Sequence, residues 1–270
     1  MDITNKIDID KYLQEFKCYS ANDTYPELWF KAVSLVFDQF NELVQNNGFK
    51  LPIQNADSFS SISVDNFRIT FPKYGSDKSH HNYHRVYSWI FSQINISNLI
   101  EIGLGTNNVD VVSNMGPGGQ PGASLRAFRE LSPTSTIYGA DIDKNILFQE
   151  ENITTFFVDQ LDRQTFQNLP DIKYDLIIDD GLHQIGANFN TLLWGLEHLK
   201  DGGFIVIEDI SPIKPWQTIA YILTRNEEYE CQLIKCSNSH LFLINKRKND
   251  KLWYTFSHME MINTKTLNNE

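Results

Sequence analysis

Cysteine is scarce: Cys18, Cys231 and Cys236 are the three in 270 residues. Their spacing fits no zinc or redox motif, and so few exclude a disulfide scaffold. Cys231 and Cys236 fall in an expected strand, where a free thiol behaves as a small buried hydrophobe. Basic charge is also short. Lys and Arg number 23 against 34 Asp and Glu, a formal net charge of −11. Nucleic-acid binders usually carry a basic face, and the one tight basic cluster, Lys246-Arg247-Lys248, reads as a solvated strand end. No apolar run reaches the roughly 20 residues that span a membrane. Met1 to Lys6 lack an apolar signal core, and no lipidation motif is visible. The expectation is a cytoplasmic protein with neither a nucleic-acid nor a membrane partner. The dinucleotide fingerprint G-x-G-x-x-G is missing too: after Gly103 and Gly105 its last glycine would stand at Asn108.

What is present is an alternation of strand and helix patterns. Leu99 to Ile102, Ser135 to Asp141, Thr154 to Asp159, Tyr174 to Asp179 and Phe204 to Ile207 are short, nearly unbroken apolar runs. Such runs suit strands buried on both faces. Helical periodicity covers Ser124 to Leu131, Ala187 to Leu199 and Trp216 to Thr224, and Gly202-Gly203 separates the second helix from the fifth strand. Glu230 to Lys235 and His240 to Asn245 flank Ser237-Asn238-Ser239, a hairpin pattern. The expected fold is α/β and Rossmann-like, with a mostly parallel seven-stranded sheet and a C-terminal antiparallel hairpin.

Residues 1–70 read differently. Pro26 opens an expected helix with Leu28, Val33, Val36, Phe37, Phe40 and Leu43 at helical spacing, and Gly48 ends it. An apolar/polar alternation follows from Ile62 to Phe71. The expected organisation is an N-terminal helical cap or oligomerisation segment over 1–70, a main domain over 71–250 and a tail over 251–270.

Asp141, Asp159, Asp179 and Asp209 stand at or just past strand ends. The carboxyl ends of parallel strands form the ligand edge of such a sheet, and carboxylates gathered there need cations or donors. Glu101 precedes Gly103-Leu104-Gly105, where glycines let backbone approach a ligand. An acid there would repel a pyrophosphate but suits the amine-bearing end of S-adenosylmethionine. Asp141 is placed to accept ribose hydroxyls, and Asp159-Gln160 to read an adenine amine. The long loop Thr106 to Ala123, with four glycines, is expected to fold over the methionine part of the cofactor.

Asp179-Asp180-Gly181-Leu182-His183 and Glu208-Asp209 end strands that can be neighbours. Oxygen-rich clusters suit Mg²⁺, Mn²⁺ or Ca²⁺. An ion there would orient and acidify a substrate hydroxyl, and His183 would take its proton. His80, His81 and His84 read as a polar lead-in over the cofactor pocket, with a metal cluster as the alternative.

Together, Tyr74-Gly75-Ser76-Asp77-Lys78, Glu101-Ile102-Gly103, Gly122-Ala123-Ser124-Leu125-Arg126, Gly139-Ala140-Asp141-Ile142-Asp143, Asp179 to His183 and Gly202 to Asp209 resemble the blocks of a known family. It is the class I, metal-dependent sugar O-methyltransferases similar to the macrocin and mycinamicin enzymes. The resemblance implies methyl transfer from S-adenosylmethionine to a sugar hydroxyl with Mg²⁺ or Mn²⁺. It implies Asp180, Glu208 and Asp209 as metal ligands, and His183 with metal-bound Asp180 as the catalytic pair. Glu101, Gly103, Gly105, Ser124, Asp141, Asp159, Gln160 and Asp179 become the cofactor-binding set. Leu182 stands where the family has Ser, and Ala187 where relatives often carry a second His.

A chain rich in Asn, Lys and Ile points to an AT-rich genome, which favours a nucleotide-activated sugar, such as a heptose or deoxysugar for bacterial capsule or surface polysaccharide. The alternatives are a natural-product glycoside acceptor, an NAD-dependent sugar-nucleotide oxidoreductase or epimerase, and an inactive interaction protein on the same fold.

Overall fold

The computed structural model describes residues 44, 46, 48–225 and 227–247. The expected helix from Pro26 and its apolar residues through Leu43, together with Cys18, Lys248 and the 251–270 tail, lie outside the described residues. So does most of the segment expected to join subunits.

One nine-stranded sheet organises the molecule. Its strands are β1 (Ile53–Asn55), β2 (Asn98–Ile102), β3 (Thr136–Asp141), β4 (Gln149–Glu150), β5 (Ile153–Phe157), β6 (Tyr174–Asp179), β7 (Leu199–Ile207), β8 (Tyr229–Lys235) and β9 (His240–Lys246). Their order is β1-β8-β9-β7-β6-β2-β3-β5-β4. The expected seven strands form the centre, and β1 and β4 are short additions at the two edges. β2, β3, β5, β6 and β7 run parallel, whereas β8 and β9 pair antiparallel and β9 lies antiparallel to β7.

Five helices flank the sheet among the described residues: α1 (Val64–Tyr74), α2 (Tyr83–Gln93), α3 (Ala123–Leu131), α4 (Ile185–His198) and α5 (Lys214–Thr224). One face of the sheet carries α1, α2 and α3 through an aromatic cluster in which Phe71 meets Phe67, Tyr87 and Phe128. The other face carries α4 and α5 through Trp194, Trp216 and Ile219. Burial on both faces is why the central strands read as unbroken apolar runs.

The alternation from Ile62 to Phe71 folds as helix α1 instead of extended chain. Phe67 and Phe71 are buried four residues apart, while Ile62 and Ile69 remain exposed, so the buried face has helical period. Gly75 ends α1 with φ +90°, and its amide bonds Phe71 and Pro72 carbonyls, a left-handed cap that favours glycine. The residue-70 boundary falls inside this helix, and β1 adds to the sheet beside β8.

Candidate active site

Hydrogen bonds stagger the strand ends into one ledge. Gly103 N donates to Ala140 O at 2.7 Å, Asp180 N to Ile102 O at 2.8 Å, Glu208 N to Asp179 O at 2.9 Å and Val158 N to Asp141 O at 3.0 Å. The parallel register thus carries Glu101, Asp141, Asp179, Asp180, Glu208 and Asp209 to a common edge.

A lysine lies at the centre of this ledge. Lys78, on the single 3₁₀ turn Asp77–Ser79, is 1% exposed. Its Nζ lies 2.7 Å from Asp180 Oδ2, 2.8 Å from both Glu208 oxygens and 3.0 Å from Glu101 Oε1. Tyr87 Oη also donates to Glu208, and Ser124 Oγ to Glu101. Burial raises the Glu101 carboxyl above its ordinary range and pushes that of Glu208 well above, against the pull of Lys78. Lys78 itself is held well above its usual value: burial works against the charge, and Asp180, Glu101 and Glu208 outweigh it.

Two of the expected site residues meet partners within the protein. Glu101, which sequence reasoning turns toward the cofactor amine, is fully buried and faces the ammonium of Lys78. Glu208, the expected third metal ligand, is held by Lys78 and Tyr87. The expected set of Asp180, Glu208 and Asp209 is divided between two clusters. Glu101, Asp180 and Glu208 form one, and Asp180, His183 and Asp209 the other, with potential ligand atoms within 4.8 Å in each.

The second cluster is half-buried. His183 Nε2 lies 3.9 Å from Asp180 Oδ1, and Asp209 accepts a hydrogen bond from Tyr83 Oη at 2.7 Å. Burial works to raise the Asp209 carboxyl, yet hydrogen bonds from Ser239 and Tyr83 and the nearby His183 and His81 hold it below the ordinary range. His183 and Asp209 both have left-handed backbone, φ 57° and 52°, uncommon for residues with side chains and concentrated at functional sites. The His183 Nδ1 is buried without a hydrogen-bond partner, so Nε2 is the nitrogen that faces the carboxylates. Two carboxylates, one of them kept ionised, and an imidazole fit a divalent ion.

The lead-in histidines separate. His81 stacks on Tyr83 at 5.3 Å and contributes to the field at Asp209, whereas His84 is buried in the protein. Ser237 N donates to His81 O at 3.2 Å, tying the lead-in to the hairpin. No group of three metal-ligating side chains forms around these histidines among the described residues.

At the adjoining edge, Asp141 Oδ2 accepts from Leu104 N at 2.7 Å and Oδ1 from Asp143 N at 2.8 Å. Each oxygen keeps further acceptor capacity. Burial raises the Asp141 carboxyl despite these amides. Asp159 is half-buried, and its Oδ1 closes a turn onto Leu161 N at 2.9 Å. Gln160 differs from expectation. Its Nε2 donates to Asp179 Oδ1 and Thr191 Oγ1, both at 2.8 Å, and its Oε1 accepts from Leu182 N at 2.8 Å. Asp179 also accepts from Asn188 Nδ2 at 3.1 Å. Gln160 and Asp179 thereby clamp β6 to α4 from inside.

The glycines are used by the chain itself. A Cβ on Gly103, at φ +100°, would lie 2.0 Å from the Asp180 carbonyl oxygen. One on Gly105 would lie 2.4 Å from Met115 Sδ. Met115 belongs to the loop 106–122, which is anchored by Thr106 Oγ1 to Asp143 Oδ2 at 2.7 Å, Met115 N to Thr106 O at 2.8 Å and Gly122 N to Leu104 O at 2.7 Å. It covers the turn after β2, and Val109 and Val112 stay exposed.

The same architecture occurs in the mycinamycin-pathway methyltransferase MycE, solved with Mg and SAH. It superposes with a TM-score of 0.54 at 21% identity, over 71% of this chain and 57% of that one. The fold is that of class I methyltransferases. In sequence the chain is similar to demethylmacrocin O-methyltransferase of Streptomyces fradiae, 34% identical over 94 residues, which is 33% of this chain and 23% of that protein. It is also similar to 8-demethyl-8-alpha-L-rhamnosyl tetracenomycin-C 2'-O-methyltransferase of Streptomyces olivaceus, 29% identical over 146 residues, 51% of this chain and 36% of that protein. The chain thus spans between about a quarter and a third of these curated relatives' length. No protein-family model matches it. No helix among the described residues is long and apolar enough to cross a membrane.

Lys78, Tyr83 and Tyr87 are the site residues that sequence reasoning missed. Lys78 stands in the Tyr74 to Lys78 block that carries the family resemblance, which was the available signal. The two tyrosines carried none.

Proposed function

We propose that the chain is a divalent-metal-dependent O-methyltransferase that moves a methyl group from S-adenosylmethionine to a sugar hydroxyl of a glycoside. The observation that carries this reading is the Asp180–His183–Asp209 cluster, set on the same strand-end ledge as the Gly103 turn and Asp141. Similarity to enzymes named for demethylmacrocin and for a rhamnosyl tetracenomycin supports a glycoside acceptor over a nucleotide-activated sugar for surface polysaccharide.

Asp180 and Asp209 would hold the metal, with His183 at its margin. A bound divalent ion supplies Lewis acidity, lowering the pKa of a coordinated hydroxyl and fixing its direction. His183 Nε2 takes the hydroxyl proton. Asp209 stays ionised under the hydrogen bonds of Tyr83 and Ser239. Asp141 offers its remaining lone pairs to the ribose hydroxyls, and Asp159 is placed to meet the adenine edge. Ser124 donates to Glu101, which pairs with Lys78.

The test incubates the full chain with S-adenosylmethionine and Mg²⁺ against parallel panels of glycosides and nucleotide-sugars, read by mass spectrometry. A methylated glycoside is the expected product. Methylation confined to nucleotide-sugars would reverse the acceptor assignment. Tight binding of NAD with none of S-adenosylmethionine would overturn the reaction class.

A further inference from the structure

Asp180 divides its carboxylate between two neighbours. Oδ2 accepts from Lys78 Nζ at 2.7 Å, while Oδ1 faces His183 Nε2 at 3.9 Å. Two clusters of potential cation ligands, Glu101–Asp180–Glu208 and Asp180–His183–Asp209, share Asp180. One of the two positions already holds a cation. Lys78 Nζ is within 3.0 Å of all three carboxylates of the Glu101–Asp180–Glu208 cluster, and its side chain is 1% exposed.

The geometry points to Lys78 as a tethered substitute for a second metal ion, which limits the site to a single divalent cation at Asp180 and Asp209. This inference rests on the metal-dependent reading above and adds the number of ions and the residue that sets it. An ammonium is a compact charge with three donors; here it donates to Asp180 and Glu208 and lies 3.0 Å from Glu101 Oε1. Its position is set from the backbone. Ser76 caps the Asp77–Ser79 turn, and the Tyr87 ring lies 5.8 Å from Nζ. Lys78 is thereby a positioning residue: it fixes one oxygen of Asp180 and leaves the other for the ion.

The test counts Mn²⁺ bound per chain by titration, with free Mn²⁺ read by electron paramagnetic resonance, and follows folding by circular dichroism. Wild type should bind a single ion. Lys78→Met should bind two, the added one disappearing in Lys78→Met/Glu208→Gln, and Lys78→Arg should return to one. A folded Lys78→Met that still binds one ion, with unchanged affinity, would overturn the proposal. If Lys78→Met fails to fold without metal, recovery of the native spectrum on adding Mn²⁺ supports the substitution of metal for ammonium, and no recovery contradicts it. The two readings fail separately. Wild type that binds no Mn²⁺ removes the metal from the proposed reaction, yet uptake of an ion by Lys78→Met alone would still identify Lys78 as its stand-in.

Discussion

Lys78 Nζ donates to Asp180 Oδ2 at 2.7 Å across 102 residues of sequence. That contact joins the segment before β2 to the end of β6, and it sets which Asp180 oxygen faces His183. The following expectations concern the edge organised around it and the scaffold that holds that edge.

His183→Ala should lower turnover by roughly 10²–10⁴, the range for loss of a general base. Affinity for S-adenosylmethionine should be retained, because His183 lies in the metal cluster and not beside Asp141. Steady-state kinetics with separate cofactor titration checks this. Unchanged turnover would make His183 structural.

Gly103→Ala should destabilise the fold by about 1–3 kcal/mol, the range for overpacking and for a strained left-handed residue. The added Cβ would fall 2.0 Å from the Asp180 carbonyl oxygen, so β2 or β6 must shift. A chemical-denaturation midpoint equal to wild type would show that the two strand ends are not in this contact.

Phe71→Ala should cost about 3–5 kcal/mol, as for other buried phenylalanines. Phe71 is fully buried and meets Tyr87 and Phe128 on two other helices. The loss should appear in the single unfolding transition of the whole domain. A main transition left in place would mark residues up to 74 as a separable segment.

The pair of Arg126 and Arg129 on Glu150 gives a pH dependence. Arg126 is the larger influence, and together the two arginines hold the Glu150 carboxyl below its ordinary range. A folded pKa below the unfolded one means stability that is present above the unfolded value of about 4.3. It is lost as pH falls through the lowered folded value. Wild type should therefore lose more thermal stability than Glu150→Gln between neutral and acidic pH. Parallel curves of Tm against pH would contradict the pairing.

Cofactor addition should slow amide hydrogen exchange in the loop 106–122. Met115 already packs on Gly105, and Gly122 N is bonded to Leu104 O, so the loop is anchored at the turn expected to meet the cofactor. Exchange that stays the same with S-adenosylmethionine bound would separate the loop from the cofactor.

Much of the ledge was legible in the sequence because it is local. Apolar runs ending in acids place Asp141, Asp179 and Glu208 at strand ends without any tertiary information, and the hairpin from Tyr229 to Lys246 follows from pattern and turn residues. Contacts between distant segments were not legible. Nothing near Lys78 in sequence says that its ammonium ends among Glu101, Asp180 and Glu208. Gln160 follows a strand end as a ligand-reading residue would, but Thr191 and Asn188, one helix away, draw it and Asp179 inward. The helix over Val64–Tyr74 was obscured by Ile62 and Ile69, whose exposed apolar side chains mimic the alternation of a strand.

The most direct test of the metal-dependent methyl transfer is a single assay of S-adenosylmethionine turnover on an accepted glycoside, run with Mg²⁺, with excess EDTA, and with Mg²⁺ restored. The expected result is transfer with Mg²⁺, its loss in EDTA and its recovery on restoring Mg²⁺ or supplying Mn²⁺. Undiminished transfer in EDTA would contradict the assignment of Asp180 and Asp209 as the residues that hold the ion.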